Sequence, residues 1–166
     1  MRFAPAAAAL ALCLAISASV TTAGGRAAPD PRAAALMAEG RAALAAGDAQ
    51  AATDAFEAAL AVDPGFTPIF IDLAEAARQQ GLQGKAIRYY REALAREPGN
   101  LAAISGEGAA LAEKGAVEKA KRNLATLQSL CGADCPEARA LQSTIARGPA
   151  ARLAAESSAD PASAAN

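Results

Sequence analysis

Between positions 33 and 146 the small and apolar residues return every three or four places, the spacing that lines one face of an α-helix. The pattern breaks at the evenly spaced Gly47, Gly81 and Gly115, and again at Pro64-Gly65 and Pro98-Gly99. This alternation predicts helix, tight turn, helix, tight turn. The first unit covers 33–66, with helices near 33–46 and 49–62. The second covers 67–100 and the third 101–134. Proline cannot continue a helix without losing a hydrogen bond, so Pro64 and Pro98 stop each second helix.

The first two units share one register, "GDAQAATDAFEAALAVDPG" from Gly47 and "GLQGKAIRYYREALAREPG" from Gly81. What recurs is the glycine, Ala52 and Ala86, the aromatics Phe56 and Tyr90, Ala59 and Ala93, and the Pro-Gly pair. Two antiparallel helices approach closely only where side chains are small, so Gly40 is expected to face the region of Ala52, and Ala74 that of Ala86. Phe56 and Tyr90 then fill the space between one unit and the next. In the third unit Ala120 keeps its place, Leu124 stands for the aromatic and Leu127 for the alanine, and "CGADCPEARALQSTIA" replaces the proline turn. Pro136 suits a first helical position, and Ala138, Leu141 and Ile145 make one stripe. A capping helix over 136–146 follows, with Arg139, Gln142 and Ser143 on its polar outer face.

These units resemble tetratricopeptide repeats, a helix pair of about 34 residues with W-x2-L-G-x2-Y in the first helix and A-x3-F, then P, in the second. Ala52, Phe56, Ala59 and Pro64 match the second-helix half, as do Ala86, Tyr90, Ala93 and Pro98. In the first helices Leu36, Phe70 and Ile104 stand at the Trp position, and Gly40, Ala74 and Gly108 at the small one. Glu39 and Glu107 replace the Leu, while Ala43, Ala77 and Leu111 replace the Tyr. The resemblance implies an all-α, right-handed α-solenoid of three such helix pairs plus the C-terminal cap.

Composition agrees with helices. Much of the apolar content is Ala, Val and Ile are sparse, and aromatics are few. With 16 Lys plus Arg against 17 Asp plus Glu and no long run of one sign, the chain lacks the basic signature of a nucleic-acid binder. It has no histidine, and so neither the commonest general base nor the commonest transition-metal ligand. No cofactor or metal is expected.

Positions 1–23 read as a secretory signal peptide: Arg2, the uncharged run "FAPAAAALALCLAISASV", then small residues at Thr21, Thr22 and Ala23. The mature protein is then expected in the periplasm or secreted, without membrane insertion. The alternative is an uncleaved anchor at the N-terminus. Cys13 lies inside the apolar run, with Leu12 before it, which disfavours lipidation. Positions 24–32 read as a linker and 147–166, rich in Ala, Ser and Pro, as a disordered tail. Cys131 and Cys135 are the cysteines left after cleavage, and an even count in an exported chain favours a disulfide between the last repeat helix and the cap.

The resemblance implies a non-catalytic scaffold that receives a peptide or partner protein on the concave face of its first helices. Helical spacing puts Met37, Arg41, Leu44, Ile71, Glu75, Arg78, Ser105, Ala109 and Ala112 on that face. Met37 and Ile71 are expected as apolar anchors, and Arg41 and Arg78 as contacts for an acidic partner. The Lys and Asn set with which relatives clamp a terminal carboxylate is absent. Two other readings remain: a permanent subunit of an envelope assembly, and an enzyme, for which Ser105 lacks a histidine base.

Overall fold

The computed structural model describes residues 28–149, and over them the chain is all helical. The helices are α1 (Pro31–Ala45), α2 (Ala49–Val62), α3 (Pro68–Gln79), α4 (Gln83–Arg96), α5 (Leu101–Glu113), α6 (Val117–Cys131) and α7 (Pro136–Arg147). The expected signal segment, the first part of the expected linker and nearly all of the expected tail lie outside the described residues. The first helix starts at Pro31, inside the end of that linker. Asp30 accepts from the Arg32 amide at 2.8 Å, and Pro31 has its φ preset for the first turn.

The turns within the helix pairs repeat with the sequence. Gly47, Gly81 and Gly115 have φ of 84°, 76° and 88°, a region that costs a residue with a Cβ. Each glycine N–H donates to the carbonyl three residues back, on Leu44, Arg78 and Ala112. The amide after it donates to the carbonyl five back, on Ala43, Ala77 and Leu111. The last carbonyls of α1, α3 and α5 are therefore satisfied in one way at all three turns.

Consecutive helices pack as antiparallel pairs, α1 with α2, α3 with α4 and α5 with α6, and α7 closes the end against α5 and α6. The core is a row of alanines punctuated by single large groups. Phe56 lies among Ala33, Met37, Ala52, Ile69 and Leu73, and Tyr90 among Phe70, Ala74, Ala86 and Ala103. Leu127, Ala138 and Leu141 fill the space under the cap.

Glycines decide how near the helices come. A Cβ on Gly40 would lie 2.5 Å from Cε1 of Phe56, so the glycine makes room for the ring one turn along α2 from Ala52. A Cβ on Gly108 would lie 2.6 Å from a methyl of Leu141, and one on Gly106 would run into the Tyr90 ring. Gly106 belongs to the third unit and Tyr90 to the second, so this contact joins repeats.

Glu107, which takes the place of an apolar residue, is buried between α4, α5 and α6. Arg91 Nε donates to it at 2.7 Å and Asn123 Nδ2 at 3.0 Å, so the carboxylate is paired and hydrogen-bonded. Glu39, at the same place in the first unit, is exposed.

Gly106→Ala tests the inter-repeat contact. Alanine improves helix propensity, but the Tyr90 ring is buried and its hydroxyl is tethered, so we expect a net loss of about 1–2 kcal/mol. Gly99→Ala, where nothing lies within 4 Å, serves as the control. Equal urea midpoints for the two variants would contradict the packing described.

Candidate functional site

The first helices and the cap enclose a hollow of about 440 Å³. Its apolar surface comes from Ile71 on α3, Ala102 and Gly106 on α5, and Pro136 and Ala140 on α7, with Tyr90 reaching it from α4. A second hollow of about 390 Å³, lined by Glu75, Arg78, Gln79, Glu113, Thr144, Arg147 and Gly148, shares Glu75 and Arg78 with the first. Together they form one groove between α3, α5 and α7. Ser105 Oγ donates to the Glu137 carbonyl at 3.0 Å, which ties the cap to α5 at the groove wall.

The polar lining is a connected set. Tyr90 Oη donates to Glu75 at 3.0 Å, and Arg78 Nη1 donates to the same carboxylate oxygen at 2.8 Å. Arg78 Nε reaches Glu113 at 3.3 Å, so one guanidinium joins α3 to α5. Burial disfavours the Arg78 charge, but the Glu113 hydrogen bond and the charge on Glu75 outweigh it and raise its pKa well above the ordinary value. Burial, reinforced by Glu75, pushes the Tyr90 phenol up, so it stays protonated and donates. At the first repeat Arg41 Nη2 lies 2.8 Å from Asp72. Burial pushes Asp72 above its ordinary 3.8, against the hydrogen bond and charge of Arg41.

The succession of helix pairs is an architecture met in solved structures. The TPR domain of Sgt2 from Aspergillus fumigatus matches with a TM-score of 0.65 and 25% identity, over 86% of this chain and 95% of that one. The chain folds as a tetratricopeptide-repeat protein. A second match is the first TPR domain of Spaghetti (RPAP3) bound to the HSP90 peptide SRMEEVD, with a TM-score of 0.63 and 21% identity, over 74% of this chain and 94% of that one. A third is the type III secretion chaperone SycD of Yersinia enterocolitica with a peptide of the translocator YopD, with a TM-score of 0.60 and 20% identity, over 74% and 93%. No protein-family model matches the sequence, and no curated protein does.

Within this tetratricopeptide fold the expected face residues divide. Ile71, Glu75, Arg78 and Ser105 line the groove. Met37, Ala109 and Ala112 do not: each is buried in the core, because a first helix turns part of its inner stripe into its own partner and the next repeat. Leu44 is half-buried against the α1–α2–α3 core, and Arg41 is exposed but paired. The arginines expected to seek an acidic partner thus have internal carboxylates. Helical spacing alone did not mark the cap as a groove wall, nor Asp72, Glu113 and Tyr90 as groove residues. One signal was present: Arg41 to Asp72 and Arg78 to Glu113 are opposite charges about one repeat apart on successive first helices.

Cys131 and Cys135 are joined by an S–S bond of 2.05 Å across the turn between α6 and α7. They come within 4.8 Å of Glu137, but sulfurs bonded to each other are not thiolate ligands.

Asp72 gives a pH test. Its pKa is raised in the folded chain, so the folded state holds the proton more tightly than the unfolded one. The stability from this proton is fully present below 3.8 and is lost as pH rises through the folded value. Urea unfolding of wild type and Asp72→Asn should therefore show wild type gaining on the variant as pH falls through that window. A constant difference, or one moving the other way, would contradict the burial assigned to this carboxyl.

Proposed function

We propose that this tetratricopeptide protein is a non-catalytic scaffold that holds a peptide segment of a partner protein in the groove between α3, α5 and α7. The observation that carries this is the hollow of about 440 Å³ with an apolar floor at Ile71, Ala102 and Gly106 and fixed polar groups along one side. The peptides bound by the RPAP3 domain and by SycD support the same use of the fold.

The lining also describes the ligand. Asp72, Glu75 and Glu137 face the hollow with Arg78, so its lining carries more carboxylates than cations and is acidic rather than basic. An acidic tail gains little there, whereas an apolar side chain seated on Ile71 displaces water from both surfaces. Hydrogen-bonding groups on its flanks can use the Glu75–Arg78 pair without breaking it. Ser105 is engaged with the cap, a structural role that accounts for it without catalysis.

Selection from a phage-displayed peptide library, followed by calorimetry, tests this reading. Selected peptides should carry an apolar anchor between polar flanks. Ile71→Asp should weaken them by about tenfold or more, since it puts a charge under the anchor. Arg41→Ala, at the far end of the face, should change affinity by about twofold at most. Full affinity in Ile71→Asp would remove the groove from consideration.

A further inference from the structure

The α3–α4 turn carries charge that the groove does not use. A hollow of about 650 Å³ opens at the α3–α4 turn, lined by Gly81, Leu82, Gln83, Gly84, Lys85, Arg88 and Lys114. It continues into a smaller one lined in part by Arg91, Lys114 and Lys119. No carboxylate lines either among the described residues, although the whole chain has net charge −1. Lys85 is loosely paired with Glu57 at 3.9 Å and Arg91 with Glu107, whereas Arg88, Lys114 and Lys119 form no ion pair among the described residues.

Two features of the backbone and core face the same place. In the first repeat Asp48 caps α2 by accepting from the Ala51 amide at 2.9 Å. The equivalent residue of the second repeat is Leu82, whose side chain cannot accept; the Gln83 amide donates to the Gly81 carbonyl at 3.0 Å, and the Gly84 and Lys85 amides of the first turn are left uncapped. Lys114 Nζ lies 3.9 Å from where a Cβ on Gly84 would stand, over that turn. Gln83, the first residue of α4, is only 9% exposed, and neither its Nε2 nor its Oε1 makes a hydrogen bond. A buried amide with no partner is a standing cost to the fold, and it is relieved where a ligand in the hollow draws the side chain out to meet it.

We propose that this hollow is a second binding surface, for an acidic peptide segment of a partner protein, held by Arg88, Lys114, the uncapped start of α4 and the Gln83 amide. A helix N-terminus and clustered cations favour carboxylates, and a peptide also supplies the backbone groups that an unpaired glutamine amide can bond. Leu82, 45% exposed, and Ile87 on the adjoining wall offer apolar contact that a phosphodiester or lipid headgroup does not need. The surface shares no lining residue with the groove.

Fluorescence anisotropy with a fluorescein-labelled peptide of glutamates around one central leucine tests this on the full chain. The peptide should bind, and weaken as salt rises from about 50 to about 300 mM. Arg88→Glu with Lys114→Glu should cost about tenfold or more in affinity, and the milder Arg88→Gln and Lys114→Gln a graded part of it should the reversal not fold. Gln83→Leu should raise the thermal midpoint while weakening the peptide, a pairing that a purely structural residue would not give. Ile71→Asp should leave this binding unchanged, which separates it from the groove. Undiminished affinity in the Arg88 and Lys114 variants, or loss in Ile71→Asp, would overturn the assignment. So would binding to phosphatidylglycerol vesicles without binding to the peptide, which would mark a lipid surface instead.

Discussion

The Tyr90 ring lies where α5 has no side chain, and that contact with Gly106 sets how close the second repeat comes to the third. Alanine-rich helices bury little area each, so they form a core only if their backbones approach closely around a few large groups. Phe56 against Gly40 and Leu141 against Gly108 apply the same solution within the first pair and under the cap. Because Tyr90 is held at this distance, its hydroxyl reaches Glu75, and Glu75 in turn holds Arg78 between α3 and α5. Packing and the polar lining of the groove are therefore one construction.

The electrostatics follow from the repeat. First helices stand side by side, so a charge on one meets a residue about one repeat later on the next. Arg41 with Asp72 and Arg78 with Glu113 use that distance to neutralise the inner face from within. The edge at the α3–α4 turn lacks such matching, and Arg88, Lys114 and Lys119 form no ion pair there among the described residues. A near-zero net charge for the whole chain hides both facts.

The fold was legible because its determinants are local and periodic. Gly47, Gly81 and Gly115 occupy positive φ at fixed spacing, and the Pro-Gly pairs end the second helices where read. The cap was legible from Pro136 and the Ala138, Leu141 and Ile145 stripe. The face was legible only in part. A first helix in a stack has neighbours on more than one side, and spacing alone cannot tell a residue aimed at the groove from one aimed at the next repeat. Ile71 and Met37 read alike in sequence, yet one lines the hollow and the other is in the core. The groove wall on α7 was invisible for the same reason: Pro136, Glu137 and Ala140 join Ile71 only through tertiary packing.

Hydrogen–deuterium exchange on the full chain, with and without a library-selected peptide, tests most directly that this groove is where a partner peptide sits. Slowed exchange in α3, α5 and α7, with α2 and the outer side of α6 unchanged, is the predicted footprint. Protection confined to α2, α4 and α6, with α3 and α7 unaffected, would contradict it.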